Sequence, residues 1–163
     1  MNIQRESLNV TDLVLRDMRT KDLNQVLPIE RSAQISPWSR LSFEESLTKK
    51  NICRVLETNE EVIAYHIICA IEDELHILNV VVAPKLQGLG LGHSLMHDIL
   101  DIAQSQQLNR IFLEVRASNA VAQNLYAQWN FKQISIRKAY YRSSDRTNGV
   151  REDALIFMRG VAA

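Results

Sequence analysis

Hydrophobic and polar positions divide the chain into segments of two periods. Residues 13–18 read as a short first strand. Residues 22–31 then place Leu23, Val26, Leu27 and Glu30 at helical spacing, a short helix that Pro28 interrupts early. After the turn Ser36-Pro37-Trp38-Ser39, a second helix is predicted through Lys49, with Ser42 as N-cap and Glu45 three positions on. Residues 51–57 and 61–71 are rich in Ile and Val and flank the polar turn Thr58-Asn59-Glu60, which signals an antiparallel hairpin. A second polar turn, Glu72-Asp73-Glu74, leads into a strand over 75–82. That strand ends in an unbroken apolar run, as expected of a central strand covered on both faces.

The strongest helical pattern follows: Leu91, Leu95, Met96, Ile99, Leu100, Ile102 and Ala103 make an apolar stripe. A strand over 111–115, a helix over 119–129 and two closing strands, 131–141 and 155–159, complete the chain around a polar loop, 142–150. Because three strands succeed one another before the helix–strand alternation begins, the pattern predicts an α/β fold with a mixed sheet flanked by helices.

A length of 163 residues and 46% hydrophobic content suit one globular domain over 12–163, preceded by an extension over 1–11. Nineteen Lys and Arg balance nineteen Asp and Glu, so no charge excess favours nucleic acid or an anionic membrane as partner. Cys53 and Cys69 lack CxxC spacing and are too few to staple the fold, which points to reduced core thiols. With no apolar run of spanning length and no signal-like start, a soluble cytoplasmic protein is expected.

Candidate chemistry starts at Gln87-Gly88-Leu89-Gly90-Leu91-Gly92, between a buried strand and the strongest helix. Missing side chains there let backbone N–H groups approach an anion held by the helix dipole, although tight packing alone also calls for glycine. A dinucleotide fingerprint fails because His93 and Leu95 stand where glycine or alanine is required. A nucleotide P-loop fails because His93-Ser94, not Lys followed by Ser or Thr, comes after the last glycine.

Gln87, Gly90 and Gly92 match the pyrophosphate motif of the GNAT acetyltransferases, Gln or Arg, two variable residues, Gly, one variable residue, then Gly or Ala. The chain thus resembles that family. The resemblance implies the GNAT fold and acetyl-CoA as cosubstrate. It assigns Val80, Val81 and Val82 to the pantetheine arm, and Gly88, Leu89, Gly90, Leu91, Gly92 and His93 to the pyrophosphate.

Alternation over Ile111-Phe112-Leu113-Glu114-Val115-Arg116 puts Phe112, Glu114 and Arg116 on one face. Glu114 is either an ion-pair partner of Arg116 or a general base whose pKa partial burial raises. A free α-amine has a pKa of about 7.7–8.0 and must shed a proton before attack. Tyr126 is either a packing residue or a phenol that protonates a departing thiolate.

The segment 113–119, with Leu125-Tyr126 and Phe131, resembles a narrower branch of the family, the bacterial ribosomal-protein-alanine N-acetyltransferases. So do Pro37-Trp38-Ser39, Arg137-Lys138, Tyr140-Tyr141 and Arg151-Glu152-Asp153-Ala154. This likeness implies Glu114 as base, Tyr126 as acid and Asn119 as a cofactor contact. The acceptor would be the N-terminal α-amine of a protein, a small-subunit ribosomal protein with N-terminal alanine. Gly88 departs from a common arginine, Asn130 from a glycine, and 142–150 is longer than in the branch.

Trp38, Tyr141 and Glu152 are candidates for holding the peptide, with packing or a surface ion pair as their alternative. His93 and His97 sit four apart but lack a third ligand, so they read as a solvent-facing pair and no metal is expected. His66 and His76 have no carboxylate cluster near them in sequence and read as structural. Two other functions stay open, acetylation of a small-molecule amine and non-catalytic coenzyme A binding.

Overall fold

The computed structural model describes residues 12–142 and 150–162, so the extension over 1–11 and most of the loop over 142–150 lie outside the described residues. Seven strands form one mixed sheet: β1 (Val14–Asp17), β2 (Asn51–Thr58), β3 (Glu61–Ile71), β4 (Glu74–Val82), β5 (Arg110–Arg116), β6 (Lys132–Arg142) and β7 (Arg151–Gly160). They stand in the order β1-β2-β3-β4-β5-β7-β6, with β4–β5 parallel and the other pairs antiparallel. Four helices flank the sheet: α1 (Leu23–Ala33), α2 (Arg40–Thr48), α3 (Leu91–Ser105) and α4 (Ala120–Gln128).

Each strand that is covered on both faces feeds two apolar clusters. On one face Leu23, Val26, Leu27 and Phe43 of α1 and α2 pack on Cys53, Val55, Tyr65, Ile67 and Val81. On the other, Met96, Ile99, Leu100 and Ala103 of α3 and Tyr126 of α4 pack on Ile77, Ile111, Leu113 and Val115. Each fully buried aliphatic side chain stabilises the fold by about 1.5–3 kcal/mol, so the α3 stripe fixes this helix firmly under the sheet.

Several expectations are corrected. Pro28 does not interrupt α1, which continues to Ala33, because the buried Leu23, Val26, Leu27 and Glu30 hold both sides of the proline to the sheet. The N-cap of α2 is Ser39, not Ser42: extended Ser39 accepts the Ser42 N–H at 3.1 Å, which places Arg40 in the first turn. The last strand begins at Arg151 rather than 155, since Arg151 and Glu152 continue the ladder with β6, opposite Arg142 and Tyr141. His66 has a carboxylate after all, Asp98 of α3, whose Oδ2 lies 2.6 Å from Nε2. Cys53 is buried and Cys69 half-buried, both as free thiols.

Candidate active site

The central parallel pair is short. β4 and β5 register only from Glu74 opposite Arg110 to Ile77 opposite Leu113. Beyond that point β4 runs on to Val82 beside β3 and β5 to Arg116 beside β7 without pairing with each other, so the two strands part. A register shift at Ile67/Ile68, where Ile67 faces Asn79 and Ile68 faces Ile77, bulges β4 at the point of parting. Two cavities occupy the resulting gap.

The larger, about 580 Å³, is lined by Val80, Val81, Val82, Gln87, Gly88, Gly90, Leu91, Gly92 and His93, and by Asn119 and Tyr126 from the far side. Gly88 and Gly90 have φ of 79° and 83°, the left-handed region in which other residues are strained, and Gly90 is the N-cap of α3. The turn therefore exposes the N-terminal end of α3 to the cavity, where its free N–H groups suit phosphate oxygens. Asn119 caps α4, accepting the Ala122 N–H at 3.1 Å. Leu89 is 40% exposed and does not line the cavity, so only its backbone belongs to the turn that does. Trp129 donates from Nε1 to His93 Nδ1 at 2.9 Å, and the His97 ring meets the same indole edge-on at 4.6 Å.

The smaller cavity, about 160 Å³, is lined by Trp38, Asn79, Glu114, Tyr126 and Tyr141 among others. It touches the larger one: Val80, Arg116, Asn119, Ala122 and Tyr126 line both. Tyr126 is 7% exposed and packs on Phe131, and among the described residues none hydrogen-bonds its hydroxyl. Burial, and secondarily the neighbouring Tyr141, push its pKa far above the ordinary phenol value, so it stays protonated.

Glu114 is less enclosed than its apolar neighbours in sequence imply. It is an exposed position whose carboxylate forms an ion pair with Arg137 at 2.9 Å, not with Arg116. The expected partial burial is not found, because Glu114 faces away from the Ile111, Leu113 and Val115 face that packs on the helices. Arg116 pairs instead with Glu152 at 2.5 Å. Glu152 is therefore engaged within the protein. Burial alone would raise its pKa, but the hydrogen bonds from Arg116 and Ser118 outweigh this and hold it below the usual carboxylate value.

Three residues at this site carry no obvious label in the sequence. Glu30 of α1 is fully buried and accepts from the Tyr65 hydroxyl, the Trp38 N–H at 2.8 Å and Asn79 Nδ2 at 3.3 Å. It thereby fixes Trp38 at the wall of the smaller cavity. Its signal was present: a carboxylate standing on the apolar stripe of a helix must be buried with donors around it. For Asn79 and Arg137 the partners lie 49 and 23 positions away in sequence, and no spacing rule reaches them.

Among the described residues no group of His, Cys, Asp or Glu is arranged to hold a metal, and no helix is long and apolar enough to cross a membrane. The sequence profile of the Acetyltransferase (GNAT) family matches residues 18–131. The [ribosomal protein bS18]-alanine N-acetyltransferase of Escherichia coli K12 is 33% identical over 142 residues, covering 87% of this chain and 93% of its own. Its counterpart in Haemophilus ducreyi is 33% identical over 136 residues, covering 83% and 92%. The crystal structure of the ribosomal-protein-S18-alanine N-acetyltransferase from Escherichia coli superposes with a TM-score of 0.83 at 32% identity, covering 91% of this chain and 94% of that one. Ard1 of Thermoplasma volcanium shares the fold, with a TM-score of 0.79 at 20% identity. With the parted strands and the glycine turn at α3, these likenesses establish that the chain belongs to the GNAT family of acetyltransferases.

Proposed function

We propose that this acetyltransferase modifies the N-terminal α-amine of a protein, and that its acceptor is a ribosomal protein beginning with alanine, as the names of its bacterial relatives have it. The observation that carries the chemistry is the meeting of the two cavities at Tyr126, with Glu114 on the wall of the smaller one. Such an acceptor belongs to the cytoplasm.

The larger cavity fits acetyl-CoA. Its glycine turn presents N–H donors at the start of α3 to the pyrophosphate, and the edge of Val80-Val81-Val82 turned from β3, which β5 no longer meets, is open to the amides of the pantetheine arm. Acetyl-CoA supplies the acetyl group already activated as a thioester. Glu114 takes a proton from the incoming amine at the mouth of the smaller cavity. Arg137 holds Oε1, which leaves Oε2 to face the acceptor. Backbone N–H groups of β4 past the parting point donate to the acetyl carbonyl oxygen as negative charge gathers there. Tyr126 donates its O–H to the departing sulfur. The burial that raises the phenol also raises a thiolate formed beside it, so transfer of the proton is not strongly uphill.

Mass spectrometry of cytosolic and ribosomal protein N-termini, with the gene present and deleted, tests the acceptor. One ribosomal protein losing an N-terminal acetyl-alanine is the expected result. If N-termini are unchanged while purified enzyme acetylates polyamines or aminoglycosides, the acceptor is a small amine instead.

A further inference from the structure

The smaller cavity is walled by segments far apart in the chain: Gln34, Ser36 and Trp38 from the link between α1 and α2, and Tyr141 from β6. One side chain joins them. Arg116 donates from Nη2 to Ser36 Oγ at 2.9 Å, and from Nη1 to the Arg142 carbonyl oxygen at 2.8 Å and to Glu152 Oε1 at 2.5 Å. Its guanidinium lies 4.4 Å from the centroid of the Tyr141 ring. The second oxygen of Glu152 accepts the Ser118 N–H at 3.2 Å, which ties the same knot to the turn leading into α4 and Tyr126.

We infer that Arg116 is a positioning residue that holds the two walls of the acceptor cavity at a fixed separation, and so sets how tightly an N-terminal peptide is gripped. The inference rests on the reading of the smaller cavity as the acceptor site. The side chain is only 10% exposed, and its donors are spread over three segments in a planar fork, with one face on an aromatic ring. Lysine has the charge but neither the fork nor the stacking plane, and it cannot serve Ser36, Arg142 and Glu152 together. Loosening the knot frees the α1–α2 link and the β6–β7 end to move apart, and ordering them again falls on the bound peptide. Arg116 also lines the larger cavity, whereas Ser36 lines only the smaller one, so Ser36 isolates the clamp from the cofactor end.

The test compares Arg116→Lys, Ser36→Ala and the double variant with the parent enzyme, using an alanine-initiated peptide as acceptor and calorimetric titration with coenzyme A. Ser36→Ala is expected to raise the peptide KM about threefold with kcat and coenzyme A affinity each within about twofold of the parent, and Arg116→Lys to raise the peptide KM about tenfold, a larger factor than its effect on coenzyme A affinity. In the double variant Ser36→Ala should add almost nothing, since both changes cut the same contact. An unchanged peptide KM in folded Arg116→Lys overturns the inference, and so do two effects that simply multiply. If Arg116→Lys fails to fold, Ser36→Ala decides: an unchanged peptide KM there refutes the clamp. A parent enzyme that acetylates no N-terminal peptide while binding coenzyme A would sink the acceptor reading itself, before any variant is made.

Discussion

Replacing Tyr126 with phenylalanine separates packing from chemistry at this site. The ring is buried against Phe131 and the α3 cluster, and phenylalanine preserves all of that surface. Among the described residues the hydroxyl has no hydrogen-bond partner, so Tyr126→Phe leaves no group unsatisfied. Folding stability should therefore change by less than about 0.5 kcal/mol, a urea midpoint displaced by no more than about 0.3 M. Turnover should respond differently. A hydrogen bond to a charged group is worth about 1.5–3 kcal/mol, and losing one from the departing sulfur slows the reaction about 10- to 150-fold. The assay is thiol release at saturating acceptor peptide, with coenzyme A affinity measured separately and expected to hold. Because the raised pKa of Tyr126 keeps it protonated well beyond neutral pH, the parent enzyme should show no alkaline loss of turnover from this group up to pH 10. Turnover within threefold of the parent, or a loss matched by weaker coenzyme A binding, would refute the assignment of Tyr126 as proton donor.

Glu114→Gln removes the proposed base while keeping its shape, and should lower turnover by roughly 10²–10⁴-fold with the urea midpoint little changed; near-parental turnover at pH 7 would remove the role. Gly90→Ala meets no atom within 4 Å, so its cost is the backbone strain of φ +83°. It should destabilise the fold by about 1–2 kcal/mol and weaken coenzyme A binding, measured by urea unfolding and calorimetry. Burial raises the Cys53 thiol from about 9 to about 11. A folded pKa above the unfolded one means this contribution is intact below pH 9 and fades as pH climbs through 11, a loss of about 3 kcal/mol. Cys53→Ala should flatten the fall in unfolding free energy over that window, and an identical slope in parent and variant would contradict it.

Periodicity was a reliable guide wherever a residue's fate depended on its own segment. The stripe Leu91, Leu95, Met96, Ile99 and Leu100 is buried as a helix because every third or fourth residue of any helix shares a face. Gly88 and Gly90 mark the tight turn into α3 for the same local reason, since both take left-handed backbone that glycine adopts without strain. Local rules failed where tertiary contact outweighed them. Pro28 is a helix breaker in isolation, yet buried neighbours hold α1 together across it. Ser39 and Ser42 are both sound caps, and only the backbone of Ser39 is extended where the helix begins. Glu114 and Arg116 stand on one face two residues apart, which invites pairing, but each finds a better partner across the sheet, Arg137 and Glu152. Such choices between competing partners depend on strands that meet only after folding.

The parting of β4 from β5 also bears on how this protein avoids sticking to others. A strand with a free row of N–H and C=O groups is a template for any extended chain, and proteins ordinarily guard such edges at the rim of a sheet with charge, proline or a bulge. Here a second open edge lies inside the sheet, along Asn79 to Val82, and its side chains are apolar apart from Asn79. It is guarded by cover: residues of α4 and of the α1–α2 link line the cavities in the gap, so the edge faces them rather than open solvent. The elements that wall the cavities thus double as protection against aggregation, and a change that uncovered this edge would cost solubility.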